Sequence, residues 1–292
     1  MIVSTKNFAP DRSRPPEQSH TTQPTDPQPC IRTETRTESA RNVATHADFA
    51  ASQANRSYWD EDADNYHKQH PDYLSSFYWC PEMLHESSAQ LLGDVTNLNV
   101  LEIGAGSAPC STWLQEQYPT ATVVAFDISA GMLSKAKRAC ALVQADALAL
   151  PFAPHSFDCV FSAFGAIPFI EDLPRLFATI ADVLHPGGRF VYAVNHPMRW
   201  VFLDDPGELG LQAAVSYFER RYIEHDEDGK ISYAEFQHTM GDHIEALHSA
   251  GFHLERLIEP EWPETLTQTW GQWSPLRGKI FPGTAIFCAT LT

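Results

Sequence analysis

The sequence lacks a long apolar run: none approaches the roughly 20 consecutive residues that span a bilayer. This absence excludes a membrane-spanning helix. Residues 1–14 are polar and charged where a secretory signal would carry its apolar stretch. We therefore expect a cytoplasmic protein that has no membrane partner.

Basic residues are also few. Twenty Lys and Arg stand against 37 Asp and Glu, which gives a formal net charge of −17. A charge of this sign repels phosphate backbones and anionic membranes. It argues against a nucleic-acid substrate and favours a small molecule.

Paired cysteines are absent. The six cysteines are widely scattered, form no C-x-x-C pair and have no neighbouring His at metal-ligand spacing. This pattern argues against a structural zinc or a disulfide framework, so we expect no metal site and free, mostly buried thiols. They are Cys30, Cys80, Cys110, Cys140, Cys159 and Cys288.

Aromatic residues are scarce near the start of the chain. Residues 1–55 are rich in Pro, Thr, Ser, Gln and Arg, with Phe8 and Phe49 as the only aromatics. Such a segment buries too little apolar surface to offset its ordering entropy. We predict a disordered tail over 1–55 and a folded domain over 56–292, beginning with an aromatic-rich segment over 56–97.

From residue 98 onward, apolar strands alternate regularly with amphipathic helices, which is typical of a doubly wound α/β sheet that is mostly parallel. A hairpin around Asp226–Gly229, within an insert over 199–240, follows the fifth strand. Seven sheet strands are predicted over 99–103, 122–126, 142–145, 157–162, 189–194, 252–258 and 284–291, and helices over 108–118, 129–138, 172–184 and 241–250.

The first strand runs into a glycine loop, Glu102-Ile103-Gly104-Ala105-Gly106. Glycine has no Cβ and tolerates positive φ, so a ligand can approach the backbone and the unpaired N–H groups of the next helix. The dinucleotide fingerprint G-x-G-x-x-G needs its third glycine at Pro109. The loop therefore favours a nucleotide-like ligand other than NAD.

These residues resemble the class I S-adenosylmethionine-dependent methyltransferases. The resemblance covers Glu102, Gly104 and Gly106, with Ala108 in a third glycine position that an alanine tolerates if its φ is negative. It continues through Asp127, Asp146-Ala147 and the segment 184–189. It implies a Rossmann-like fold with an N-terminal helical lid and an antiparallel last strand, and S-adenosylmethionine as the cofactor.

The resemblance also assigns roles to single residues. Asp127 would accept from the ribose diol, Asp146 from the adenine amine, and Glu102 would orient the glycine loop. Other roles remain open: Asp127 could cap the next helix, Asp146 could be a loop carboxylate, and Tyr66 could be core. The predicted cofactor-binding residues are Tyr66, Glu102, Gly104, Ala105, Gly106, Asp127, Ile128, Asp146, Ala147 and Ala163.

Methyl transfer from a sulfonium is an in-line displacement, so a protein mainly positions the acceptor and, where needed, removes a proton. His196 and His238 are the candidate catalytic bases, since histidine titrates near neutral pH. Alternatively His196 fixes a turn and His238 caps a helix. We therefore predict a methyltransferase acting on a small molecule; the alternative is a catalytically silent S-adenosylmethionine-binding or regulatory protein.

One competing pattern lies in the insert. Glu224, Asp226, Asp228, Gly229 and Glu235 occupy positions 1, 3, 5, 6 and 12 of a calcium-loop pattern. The tyrosines around them alternate as in strands. Acidic turn residues on a hairpin explain the same residue pattern, and this interpretation is favoured over a calcium loop.

Overall fold

The structure, a computed structural model, describes residues 38–137, 139–271 and 273–292. Within them no helix is both long enough and apolar enough to cross a bilayer. The helices are α1 (Glu38–Gln69), α2 (Glu86–Ala89), α3 (Pro109–Gln117), α4 (Ala130–Leu133), α5 (Leu173–Val183), α6 (Met240–Ser249) and α7 (Pro275–Gly278). The strands are β1 (Asn99–Ile103), β2 (Thr122–Asp127), β3 (Ala141–Gln144), β4 (Phe157–Ala163), β5 (Leu184–Asn195), β6 (Arg221–His225), β7 (Ile231–Phe236), β8 (Phe252–Ile258) and β9 (Thr284–Leu291).

Seven strands form one sheet in the order β3-β2-β1-β4-β5-β9-β8. The strands β1 to β5 pair in parallel, and β9 runs antiparallel to both of its neighbours, β5 and β8. The predicted fold, a doubly wound seven-stranded sheet whose last strand is antiparallel, is confirmed. The carboxyl ends of β1, β2 and β4 consequently meet at one edge, where open α/β sheets bind ligands.

Apolar residues cover both faces of the sheet, as a sheet between two layers of helices requires. The central strand β1 is buried from Val100 to Ile103. On one face α5 buries Leu176, Phe177 and Ile180 against the sheet, which is the apolar stripe of an amphipathic helix. The opposite face packs against residues that precede β1, including Phe77 and Trp79.

Helix ends agree with local sequence signals. The hydroxyl of Ser129 accepts from the Met132 N–H at the start of α4, and the Asp172 carboxylate caps α5. Thr239 begins α6 in a capping box, and Gly251 follows that helix with a φ of +85°. These interactions fix the predicted starts of the three helices, although α4 ends at Leu133 and not at the predicted residue 138.

The strand β5 differs from its prediction. It begins at Leu184, directly after α5, instead of at residue 189. Leu184 pairs with Phe157 and Arg189 pairs with Cys159, so the residues between them form an irregularity in the ladder. The Pro-Gly-Gly segment is therefore a bulge within the strand.

The folded domain begins earlier than residue 56. The predicted tail boundary falls inside α1, and residues 1–37 and Cys30 lie outside the described residues. Ala51, Ala54 and Asn55 are buried on this helix. Ala51 packs against Ala234 and Phe236 of β7, which the sequence places almost 200 residues away. Tertiary burial of a few small residues orders a segment whose composition alone predicts disorder.

The strands β6 and β7 form the expected hairpin as a separate two-stranded sheet. Its acidic residues serve the turn: the Asp226 carboxylate accepts from the backbone N–H groups of Asp228 and Lys230. Glu235 lies apart from them, buried on β7 and bonded to the Asn195 amide. The acids of the calcium-loop pattern are thus divided between a surface turn and the interior.

Asn55 joins α1 to the hairpin. Its side chain donates to the Ala234 carbonyl at 3.0 Å and accepts from the Ala234 N–H at 2.9 Å, and it is 3% exposed.

Asn55→Ala would leave both backbone groups buried without partners, so we expect a loss of about 2 kcal/mol in the free energy of unfolding, measured by urea denaturation. Gln53→Ala, at an exposed position of the same helix, is the control. An equal, small effect of both substitutions would contradict this role.

Candidate functional site

A deep cavity of about 1020 Å³, open to the solvent, lies at the carboxyl edge of the sheet. Its walls come from the ends of β1, β2 and β4, from α1 and from the loops that follow. All the predicted cofactor residues line it: Tyr66, Glu102, Gly104, Ala105, Gly106, Asp127, Ile128, Asp146, Ala147 and Ala163.

The glycine loop has the conformation that its sequence predicts. Gly104 and Gly106 have φ of +67° and +56°. A Cβ on Gly104 would lie 2.4 Å from the backbone nitrogen of Ala166, so only glycine allows the loop after β4 to approach this closely. The approach brings two loops together at the base of the cavity.

Ala108 departs from expectation. Its φ is +53°, in the left-handed region, although we expected a negative value for an alanine in this glycine position. The methyl group is fully buried beside Ala105 and Ala125. The left-handed conformation costs an alanine about 1–2 kcal/mol, which the burial of its methyl group offsets in part.

The Asp127 carboxylate connects two loops. Its Oδ2 accepts from the Gly106 N–H and its Oδ1 from the Ser129 N–H, each at 2.8 Å. Burial raises the pKa of Asp127, and the two N–H groups oppose this shift. Each carboxylate oxygen has a further lone pair, so the group can also accept from a ligand.

Glu102 is held below the glycine loop at the start of α3. Its Oε2 accepts from the Ser111 N–H at 3.0 Å and from the Ser111 hydroxyl at 2.5 Å. Burial raises its pKa to about 8, against these hydrogen bonds, and the Asp127 charge adds to the rise. Glu102 is therefore largely protonated at neutral pH, in a place where it connects β1 to α3.

Two neighbouring strand ends form the opposite side of the cavity. Asp146 Oδ1 accepts from the Leu148 N–H at 2.9 Å, so this carboxylate shapes its own turn. The Ile128 carbonyl accepts from the Gln144 amide at 3.0 Å, which ties the loop after β2 to β3. Ala147 is nearly buried beside them. These apolar and acidic groups form a narrow slot at the edge of the sheet.

An aromatic cluster forms one wall of the cavity. Tyr66 of α1 lines the cavity, and its ring lies 5.5 Å from Trp59 and 4.7 Å from His70. His70 stacks on Trp270 at 4.0 Å, and burial lowers the pKa of His70 to about 4. The cluster is therefore uncharged around the Tyr66 ring.

Several further cavity residues escaped the prediction. Each of them has an aromatic side chain, and each comes from the segment before β1 or from the loop after β4. The density of aromatics over 56–79 was a usable signal, but the sequence does not tell which rings face a cavity: Trp79 is wholly buried, with its indole N–H donated to Glu86. The residues are Trp59, Tyr73, Tyr78, Phe164 and Phe169.

His196 does not line the cavity, so the structure does not bring it to the candidate site, and its catalytic role stays a prediction. Its Nδ1 accepts from the Met198 N–H at 3.1 Å, and its Nε2 donates to Glu259 at 2.8 Å. Burial lowers the pKa of His196, against the effect of Glu259. The residue fixes the turn after β5, as its alternative interpretation held.

His238 is also absent from the cavity lining, and its catalytic role likewise stays a prediction. Its Nε2 lies 2.8 Å from the Ile170 carbonyl, which can only accept, so this nitrogen carries the proton. The helix α6 is capped by Thr239 and not by His238. His238 lines a smaller cavity of about 290 Å³, next to Asn195 and Trp200.

The pKa of Glu102 gives a test. The folded protein holds the Glu102 proton up to pH about 8, whereas the unfolded chain releases it near the ordinary value of 4.5. Between these values the unfolded state binds fewer protons, so this group lowers stability as pH rises. We expect the free energy of unfolding of Glu102→Gln, relative to that of the parent, to increase by a few kcal/mol, to order of magnitude, as the pH rises from about 5 to about 8. Urea denaturation measures it. A stability difference that stays constant with pH would contradict the raised pKa.

Comparison with known proteins agrees with this geometry. Residues 100–188 match the model of a methyltransferase domain family. A malonyl-[acyl-carrier protein] O-methyltransferase of Xylella fastidiosa is 34% identical over 116 residues, which are 38% of this chain and 39% of that protein. A demethylmenaquinone methyltransferase of Thermus thermophilus is 36% identical over 128 residues, 41% of this chain and 54% of that protein. The chain thus spans between about two fifths and just over half of the length of these relatives.

Two solved structures share the fold. Both are described as S-adenosylmethionine-dependent methyltransferases. The one from Listeria monocytogenes has a TM-score of 0.59 at 22% identity, over 71% of this chain and 96% of that one. The one from Mesorhizobium loti has a TM-score of 0.56 at 23% identity, over 70% of this chain and 95% of that one. The likeness covers nearly the whole of both solved proteins.

Proposed function

We propose that this chain, which belongs to the class I S-adenosylmethionine-dependent methyltransferases, transfers the methyl group of S-adenosylmethionine to a small molecule with an apolar body. The observation that carries the proposal is the cavity at the carboxyl edge of the sheet. It combines the glycine loop, the Asp127 carboxylate and an aromatic wall in one continuous lining.

The residues present fit this cofactor. Gly104 and Gly106 line the cavity with backbone alone, and the remaining lone pairs of Asp127 suit a ribose diol. Asp146 would accept from the adenine amine, between the apolar faces of Ile128 and Ala147. When bound, S-adenosylmethionine supplies an activated methyl group on a sulfonium.

The amino-acid end of the cofactor would lie towards Glu102, Ala105 and Ala163, beneath Tyr66. The ring of Tyr66 excludes water from this end of the cavity. An uncharged aromatic wall offers its π faces to a sulfonium and does not repel the positive charge of that group. The residues of this chain therefore bind and orient the cofactor and the acceptor, and they exclude water.

The acceptor would approach past Trp59, Phe164 and Phe169, which line the cavity and are not among the proposed cofactor contacts. Aromatic side chains bury large apolar areas, so this lining favours an apolar acceptor body. The net charge of −17 disfavours nucleic acid as the acceptor. Relatives are named for malonyl-[acyl-carrier protein], demethylmenaquinone and fatty acids, which supports this class.

The positions of His196 and His238 leave the proposal without a histidine base. A silent cofactor-binding protein of the same fold would share the Asp127 site, so turnover has to be measured directly. With purified protein, S-adenosylmethionine and a panel of fatty acids, quinols and amines, we expect S-adenosylhomocysteine to form with at least one apolar acceptor, as detected by mass spectrometry. Tight cofactor binding without product from any acceptor would favour the silent protein.

Asp127 gives the test of the cofactor site. Asp127→Asn removes the charge that a ribose diol would donate to, so we expect the affinity for S-adenosylmethionine to fall by about 1–3 kcal/mol, which calorimetry measures. NAD should bind neither protein.

The control for this test is Asp182→Asn, at an exposed position of α5 away from the cavity. Thermal denaturation checks that both variants fold, because Asp127 also holds the Gly106 and Ser129 N–H groups. Unchanged affinity in a folded Asp127→Asn protein would contradict the ribose assignment.

A further inference from the structure

The short 3₁₀ turn Ile167–Phe169 separates the two cavities. Phe169 and the flanking residues Ala166 and Ile170 line the large cavity. Ile167 and Pro168 line the small one on the other side. A displacement of this turn would therefore change the shape of the proposed cofactor and acceptor site.

The two ends of the turn are held differently. At its start, the backbone of Ala166 packs against the Cα of Gly104, and Gly165 packs against the Gly104 carbonyl. At its end, the Ile170 carbonyl accepts a hydrogen bond from the His238 side chain at 2.8 Å. Tight backbone packing thus fixes one end, and a side-chain hydrogen bond from a distant segment holds the other.

His238 is itself held in a rigid place. The preceding residue, Gln237, bonds the Arg220 carbonyl through its backbone and the Pro197 carbonyl through its side chain, each at 3.0 Å. The following residue, Thr239, forms the capping box of α6. The ring is half-buried, and burial lowers the pKa of His238, so it remains a neutral donor.

The same hairpin also holds the opposite wall of the cavity. Ala234 of β7 makes both hydrogen bonds to Asn55, and Asn55 and Trp59 of α1 line the cavity. The Trp59 and Phe169 rings meet edge to face at 5.7 Å, from the two walls. The segment 234–238 therefore fixes the spacing between α1 and the turn.

We propose that His238 is a positioning residue: its hydrogen bond to Ile170 sets the distance of Phe169 and Ile170 from α1, and with it the fit of the cavity around the adenosyl donor and the acceptor. His238 touches neither ligand. The inference rests on the proposed function in one respect, that the large cavity binds the donor.

The test compares three variants, with S-adenosylhomocysteine as the probe in calorimetry. His238→Ala removes the donor, and we expect the affinity to fall about fivefold, the size of one net hydrogen bond. His238→Gln places an amide N–H near the position of Nε2, and we expect it to restore the affinity to within about twofold. His248→Ala, an exposed histidine of α6, is the matched control and should bind like the parent.

A second measurement keeps the two proposals separate. The amides of Phe169 and Ile170 donate within the turn, so their hydrogen exchange should be faster in His238→Ala and normal in His238→Gln. If the parent protein fails to bind S-adenosylhomocysteine, the proposed function fails, and the exchange rates still decide the role of His238.

Two results would overturn the positioning role. One is parental affinity together with parental exchange in a folded His238→Ala protein. The other is an equal loss of affinity in His238→Ala and His238→Gln, because glutamine should restore the hydrogen bond and with it the affinity. If His238→Ala does not fold, His238→Asn replaces it, because its shorter amide does not reach Ile170.

Discussion

Two backbone N–H groups converge on the Asp127 carboxylate, and the ligand-binding edge of the sheet depends on this contact. Gly106 belongs to the loop after β1 and Ser129 to the loop after β2, so one side chain fixes both loops. The arrangement is possible because parallel neighbouring strands end at the same edge. A buried carboxylate that already accepts two N–H bonds is costly to leave ionised, and a ligand that donates to its free lone pairs would lower that cost.

Around this contact the cavity is built from distant parts of the chain. The helix α1 precedes the sheet and the hairpin follows β5, yet Asn55 and Ala234 join them by two buried hydrogen bonds. A second contact ties α1 to the sheet: the Asp60 carboxylate accepts from the Ser129 hydroxyl and from the Gly131 N–H, each at 2.7 Å. The helix is thus fixed to both the cofactor side and the insert side of the cavity that it covers.

The sequence predicts the sheet well, and it finds residues that share one cavity, because both follow from short-range rules. Apolar strands that alternate with capped helices predict a mostly parallel sheet, and the glycines at positions 104 and 106 predict a positive φ. Asp127 and Asp146 are found because each directly follows a predicted strand. Their predicted ligand roles await measurement, while their common place in one cavity is a structural fact.

The remaining features depend on tertiary contacts that no local pattern reports. Ala51 of α1 is buried because it meets β7, and Ala108 takes a positive φ beside Ala105 and Ala125. His196 and His238 follow β5 and β7 in the chain, which suggested an active site. The directions of their side chains depend on Glu259 and on Ile170, which lie 63 and 68 positions away.

The proposed function depends above all on the glycine loop and Asp127 binding the adenosyl part of a methyl donor. A crystal structure of the protein with S-adenosylhomocysteine is the most direct test. We expect the ribose hydroxyls on the Asp127 carboxylate, the adenine between Ile128 and Ala147, and the sulfur below Tyr66. A ligand bound elsewhere, or one in this cavity that makes no contact with Asp127, would contradict the proposal.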